Sequence, residues 1–391
     1  MKSSVKKPLA ILLAIVLIIG VTACGAKPNG TDSAKRSTVD AEDSATDSAT
    51  ASRNALLAEL SKADYYDYTK YAPEQLYTSE QISSVDRYIS SEITGKERNV
   101  MVNLLMTLSE DDRVNAAYID SDNNIYATSQ SVKDSVILLE KNSDGIYEYP
   151  DGTLCFIGSD HDRYSTANLG TRGSSGTGPF QRIISKTGYS AETVYVRLGT
   201  NGTDIKELIP TVTQEESAAY VYIGGALPSQ VDAGMQHSRT NDNWSLVLRS
   251  DGGADAFSYR FKSNQNAYLK FYVPSDGNVT VACYAYDMNN VPQNYSLTRT
   301  AAGWKTNGSG CALKRLTTIG QKPENTALGE YHLNAAWTNA MIGQSLTNLQ
   351  TWGAAQTDTT KIESYPSSSP KVWVTNLTQY SAETDNIDLR K

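Results

Sequence analysis

Residues able to do acid–base chemistry are few in this chain of 391, which has only three histidines: His161, His237 and His332. One follows a glutamine directly in "DAGMQHSRTNDNWSLVLRS", Asp232 to Ser250. Arg and Gln that neutralise a uronate carboxylate, with His and Tyr as base and acid, would make the working set of a polysaccharide lyase. Adjacent residues of a strand point to opposite faces, so Gln236 and His237 cannot both line one groove. The stretch reads instead as strand, polar connection over Ser238 to Asn243, and strand, with Trp244, Leu246 and Leu248 returning to the core. Gln236 and Arg249, on adjoining strands, are then candidates for a ligand face, and His237 has no visible partner.

Carboxylates give less. A retaining glycosidase needs two of them across the scissile bond, and Glu383, Asp385 and Asp388 come near that spacing. The last is Asp rather than Glu and the segment lies at the extreme C-terminus, so it reads as a terminal polar strand or tail; Glu330 stands alone. Asp120, Asp122 and Asn124 imitate the opening of a calcium loop, but Ile125 and Ser131 occupy the positions that need glycine and a carboxylate. That stretch reads as a turn. The glycine-rich "GTRGSSGTGPF", Gly170 to Phe180, lacks the Gly-Lys-Ser/Thr ending of a phosphate loop and reads as a boundary or long loop. With three histidines and no CxxC pair there is no zinc ligand set, and no cofactor is expected.

The N-terminus carries an address. Lys2, Lys6 and Lys7 precede an apolar run from Leu9 to Val21 that ends in Val-Thr-Ala-Cys, the pattern of a secretory signal too short to be a comfortable span. Val21 to Cys24 resembles a bacterial lipobox, which implies a diacylglyceryl group on Cys24 and two acyl chains, enough for stable membrane attachment. From Gly25 to about Asn54 the chain is Ser, Thr, Ala, Asp and Lys without an aromatic residue, and reads as a flexible tether. The expected location is the extracellular face of the cell membrane.

Composition narrows the partners. Net charge is −8 and no Lys/Arg cluster occurs, which argues against nucleic acid. Twenty-four tyrosines against five phenylalanines suit an extracellular β-rich protein whose rings sit half buried with hydroxyls in water. Apart from Cys24, the cysteines are Cys155, Cys283 and Cys311. A Cys283–Cys311 disulfide is open to the chain, but Val279, Val281 and Cys283 share one strand parity, so Cys283 also reads as a small core hydrophobe.

Helical periodicity runs through Leu56, Leu57 and Leu60, then Ile82, Val85, Tyr88 and Ile89, then Val100 to Leu108. Ser79 is the expected N-cap of the second helix and Gly95 its stop. Two hairpins follow in "AAYIDSDNNIYATS" and "GIYEYPDGTLCFIG". From about Gln181 onward short strands alternate with Gly/Asn/Asp/Ser breaks, the pattern of an all-β sandwich or barrel.

Its clearest element is "AYLKFYVPSDGNVTVACYAY". Ala267, Leu269, Phe271 and Val273 face the core with Val279, Val281, Cys283 and Ala285 across a Pro-Ser-Asp-Gly turn. The opposite parity carries Tyr268, Lys270 and Tyr272 beside Thr280, Tyr284 and Tyr286. Trp373 alternates against Val372 and Val374. Sugars stack their C–H faces on aromatic rings while amides and cations take the hydroxyls, so this face suits a glycan.

The runs "VDAGMQHS", "NWSLVLRS", "AYLKFYVPSDGNVTV", "LKRLTTIGQ" and "YHLNAAWTNAMIG" resemble secreted Bacillus-type proteins of the YrpD kind and, more broadly, concanavalin-like lectin/glucanase jelly rolls. That resemblance covers roughly the last two hundred residues and implies a two-sheet jelly-roll β-sandwich with a concave face. It also raises carbohydrate as a partner without choosing a reaction. The expected organisation is a lipoprotein signal over residues 1–24, a tether over 25–54, a helical region with hairpins over 55–165 and the jelly roll over 166–391. The expected function is a non-catalytic, carbohydrate-binding cell-surface lipoprotein whose expected partner is an extracellular or cell-wall polysaccharide. A lyase or hydrolase on the same fold, and a structural or adhesion protein of the envelope, are the alternatives.

Overall fold

A computed structural model describes residues 39–60, 62–140, 147–149, 154–155, 179–207, 216–238, 240–250, 254–322, 329–363, 372–375 and 380–390. Cys24, His161, most of Gly170 to Phe180 and the side chain of Cys155 lie outside the described residues. The helical part consists of α1 (Val39–Leu60), α2 (Pro73–Leu76), α3 (Ser79–Asp86), α4 (Gly95–Thr107) and a 3-10 turn over Glu110–Arg113. Next come β1 (Ala116–Ile119), β2 (Ile125–Ala127), α5 (Gln130–Ser135), β3 (Val136–Leu139), β4 (Tyr147–Glu148) and β5 (Leu154–Cys155). The strands then continue as β6 (Phe180–Ser185), β7 (Ala191–Leu198), β8 (Ile205–Lys206), β9 (Glu216–Leu227), β10 (Val231–Ser238) and β11 (Asn243–Ser250). They are followed by β12 (Ala254–Lys262), β13 (Gln265–Ser275), β14 (Asn278–Tyr286), β15 (Pro292–Thr300) and β16 (Ala312–Lys322). The last five are β17 (Tyr331–Gly343), β18 (Leu349–Thr351), β19 (Thr357–Glu363), β20 (Val372–Thr375) and β21 (Glu383–Asp388).

These strands form a two-sheet β-sandwich of jelly-roll type. One sheet has the order β2-β1-β15-β14-β13-β7-β17-β21-β20, with β8 and β18 paired to β17; the other runs β19-β6-β16-β9-β10-β11-β12-β3. Period-two alternation decides what lies between them. Val194, Val196, Leu269, Phe271, Val281 and Cys283 from the first sheet meet Val221, Ile223, Met235, Trp244, Leu246 and Leu248 from the second, all fully buried. Cys283 and Cys311 are free and buried, so Cys283 is the core hydrophobe and no bridge joins them. In the β13–β14 hairpin Ser275 pairs Asn278, leaving Asp276-Gly277 as the turn, with Gly277 at φ +77°.

Among the described residues, the segment expected over 55–165 is not separate from the sandwich. Strand β1 pairs in parallel with β15, and β3 pairs with β12, so the early hairpin region supplies strands to both sheets. Ser52–Lys391 forms one compact unit. The cause is size: the apolar residues of α3 and α4 are too few to close a core of their own. They are buried instead with Tyr118, Ala191 and Tyr272 of the large sheet.

Three local readings also change. Helix α1 extends into the segment read as a tether; its six alanines and the acidic residues at its start (Asp40, Glu42, Asp43) favour a helix. The N-cap of α3 is Thr78, whose hydroxyl accepts from the amide of Gln81 while the Gln81 side chain accepts from the amide of Thr78. Gly95 opens α4 rather than stopping α3.

Candidate functional site

Strand parity alone puts the tyrosines on the outer side of the larger sheet, because Val194, Leu269 and Val281 on the same strands face inward. Register then brings three of them into one row: Tyr195 pairs Tyr268 across β7–β13, and Tyr268 pairs Tyr284 across β13–β14. Tyr195 and Tyr284 are 42% and 49% exposed and Tyr268 lies between them half buried. The rings of Tyr195 and Tyr268 are 4.8 Å apart at 37°. Tyr286, 45% exposed, continues the patch and carries Lys262 Nζ at 5.3 Å from its ring centre. Burial raises the Tyr268 phenol above its ordinary value, so it stays a neutral donor.

Toward Lys270 and Tyr272 the face is closed. Lys270 and Tyr272 are only 7% and 5% exposed, because the turn Glu110–Arg113 sits on them. Lys270 Nζ lies 2.5 Å from Asp112 Oδ1, and the Tyr272 hydroxyl donates to Asp112 Oδ2 at 2.9 Å. Ser109 Oγ donates to the same oxygen, completing a buried clamp. Both residues are therefore structural, and the expected ligand face loses them. The wall continues at Asn294, opposite Tyr284, whose amide donates to the carbonyl of Asp111.

Trp373, 43% exposed, shares the outer side but sits on the edge strand β20. Three strand steps separate it from Tyr195, roughly 14 Å at the usual strand spacing. Gln236 and Arg249 belong elsewhere. Both lie on the outer side of the smaller sheet, where Gln236 is buried between Tyr220 and Ser245 and Arg249 stands half buried opposite Asp232. Parity separates the two sides of a strand but does not tell which sheet that strand joins.

His237 points inward and is not without a partner. Its Nδ1 lies 2.9 Å from Glu207 Oε2 and its Nε2 3.1 Å from Asp242 Oδ1, and its ring meets Trp244 edge-on at 5.2 Å. Burial alone would lower its pKa; the Glu207 charge and the hydrogen bonds to Asp242 and Glu207 outweigh it and hold the imidazole at about 9. Asp242 also accepts from the amide of Asn201 and the hydroxyl of Ser263, so the group ties three loops together. Glu207, from a segment with no motif, was invisible in the sequence.

Glu383 and Asp385 lie on a terminal strand, not a tail, and they are not solvated. Strand β21 pairs with β17 inside the large sheet, and both side chains enter the sandwich. Arg315 bonds Glu383 through Nε and Nη2 and the carbonyl of Tyr380 through Nη1 at 2.8 Å, lying between Trp337 and Trp352. Asp385 Oδ2 accepts from Thr317 and from Trp337 Nε1. Asp120 likewise spends its oxygens locally, on the amides of Asp122 and Asn124 and the side chains of Asn124 and Tyr126, confirming the turn.

No family model matches the chain, and no curated protein matches its sequence. Among solved structures, scytalido-glutamic peptidase aligns at TM-score 0.36 and 7% identity over 55% of this chain and 100% of that one. A galectin of Caenorhabditis elegans aligns at 0.21 and 11% over 36% and 86%, and an alginate lyase at 0.19 and 10% over 53% and 93%.

Proposed function

We propose that this chain is a lipid-anchored extracellular protein that binds a glycan without cleaving it, through Tyr195, Tyr268, Tyr284 and Tyr286. The observation that carries this reading is the tyrosine row: aromatic surface held at fixed spacing on three neighbouring strands and left open to solvent. Ring faces and edges offer apolar area to sugar C–H groups, and the phenols and Lys262 supply polar contacts around them. His237, Glu383 and Asp385, groups the sequence offers for glycan chemistry, are buried inside the sandwich, which favours binding over cleavage. Anchoring rests on the lipobox at Val21 to Cys24. No helix among the described residues is long and apolar enough to cross a membrane.

The test is retention on a panel of neutral and acidic polysaccharides, followed by incubation with each hit. Binding that is lost in a Tyr195→Ala/Tyr284→Ala variant, with no new reducing or unsaturated ends, supports the reading; new ends would replace it with an enzyme, and no retention on any polymer would replace it with a structural envelope protein. Metabolic labelling with a fatty-acid probe, abolished by Cys24→Ala, tests the anchor.

A further inference from the structure

Apart from the His237–Glu207 pair, the interior of the sandwich holds a second buried polar cluster. There β16 and β6 of the smaller sheet present Arg315, Thr317 and Gln181, and β21 and β7 of the larger sheet present Glu383, Asp385 and Glu192. Gln181 and Thr317 are cross-strand partners, Thr317 donates to Asp385, and Arg315 holds Glu383, so the contacts run from one sheet to the other. Arg315 brings one positive charge to three carboxyl groups.

Six polar atoms of this cluster meet no hydrogen-bond partner among the described residues: both oxygens of Glu192, both amide atoms of Gln181, Glu383 Oε2 and Asp385 Oδ1. Every one of these side chains is at least nine-tenths buried. A carboxylate with neither oxygen bonded is strongly disfavoured in such a place, and a second carboxylate beside Glu383 equally so; each is relieved by taking up a proton. A carboxylic acid also gains an O–H donor, which an array of bare acceptors needs.

We propose that this cluster is a proton latch between the two sheets: Asp385 and Glu192 sit in the core as neutral acids, so the hold they give is greatest under acidic conditions and weakens as pH rises. The charged groups acting on Asp385 are Glu383 on its own strand and Arg315 from the facing sheet; those acting on Glu192 are Arg315 and Lys314. Burial is the largest influence on both and pushes both well above the usual carboxylate range. Glu383 adds to that for Asp385, while Arg315 and the bonds from Thr317 and Trp337 offset it in part. Arg315 and Lys314 offset it in part for Glu192.

The direction follows from proton counts. Above the ordinary carboxylate pKa the unfolded chain has released these protons and the native state has kept them, so the folded-to-unfolded ratio falls by up to about tenfold per pH unit for each proton kept. The test is denaturant unfolding of the wild type, Asp385→Asn, Glu192→Gln and the double variant between about pH 6.5 and 8, a window in which His237 also keeps a proton that the unfolded chain releases and so adds the same fall to all four profiles. The wild type should lose stability across the window more steeply than His237 alone requires, each amide should reduce the slope, and the double variant should keep only the fall that His237 contributes. A wild-type profile that is flat or rising, or amides that leave the slope unchanged, would overturn the latch. Where a variant does not fold, the infrared band of a protonated carboxyl in the wild type at neutral pH decides instead: its presence supports the latch and its absence overturns it.

Discussion

Tyr272 donates to Asp112 across the seam between the large sheet and the helical segment, at 2.9 Å and out of contact with water. Because Lys270 pairs with the other oxygen of the same carboxylate, one aspartate holds two groups of strand β13. That arrangement fixes the segment over part of a face that would otherwise be open, and so sets where the exposed tyrosine row ends.

Removing the carboxylate should therefore cost more than removing the phenol. Asp112→Ala leaves a buried ammonium without its counter-charge, which costs about 3–5 kcal/mol in such sites. Tyr272→Phe removes one hydrogen bond to a charged group, about 1.5–3 kcal/mol. Urea unfolding of both variants checks the order, and a loss for Asp112→Ala no larger than that for Tyr272→Phe would show that Lys270 does not depend on the pair.

On the open part of the face the balance reverses. Tyr195 and Tyr284 are about half exposed, so Tyr284→Ala should change stability by no more than about 0.5 kcal/mol while weakening retention on a bound glycan. Tyr272→Ala is the contrasting case, expected to destabilise the fold first. Midpoints of thermal unfolding, read beside retention on the same polymer, separate the two behaviours.

The division between these tyrosines marks how far the sequence could be read. Alternation in "AYLKFYVPSDGNVTVACYAY" assigns the inward and outward sides of β13 and β14 correctly, because side-chain period is a local property. Tyr272 looks identical to Tyr268 on that basis. What distinguishes them is a turn about 160 residues earlier in the chain, and no local pattern encodes that contact. Gln236 and Arg249 show the same limit at the level of sheets, since parity placed them outward and topology placed them on the other sheet. Thr78 and Gln81 are a different case: the capping box was present in the sequence, one residue before the Ser79 taken as the cap. Glu383 and Asp385 misled because buried charge is rare and a C-terminal acidic run is usually solvated. Arg315, the group that makes their burial tolerable, lies about 70 residues away.

Packing at the closed end of the core gives a third prediction. A Cβ added at Gly225 would lie 1.9 Å from the ring of Trp304, a fully buried side chain. Gly225→Ala must displace that indole, an overpacking cost of about 1–3 kcal/mol or more. Chemical denaturation should show the loss, and adding Trp304→Phe should recover part of it. Two losses that simply add would mean that the ring is not what excludes the methyl.

The two described histidines should titrate on opposite sides of neutrality. His237, held up at about 9 by Glu207 and Asp242 against the effect of burial, is charged at pH 7. His332 is lowered to about 4: burial is the main cause, and its contact with the carbonyl of Thr318 only partly offsets it. A raised His pKa gives stability that is complete below the unfolded value near 6.5 and is lost as pH climbs through about 9. A lowered one does the reverse, removing stability as pH falls from about 6.5 toward 4, because the unfolded chain takes the proton that the native state refuses. Imidazole resonances followed by NMR from acid to alkaline pH, with His237→Gln and His332→Gln for assignment, test both at once. The expected record has one ring changing state near each extreme and neither near 6.5; a single shared transition there would show that neither burial nor the Glu207 and Asp242 carboxylates govern these side chains.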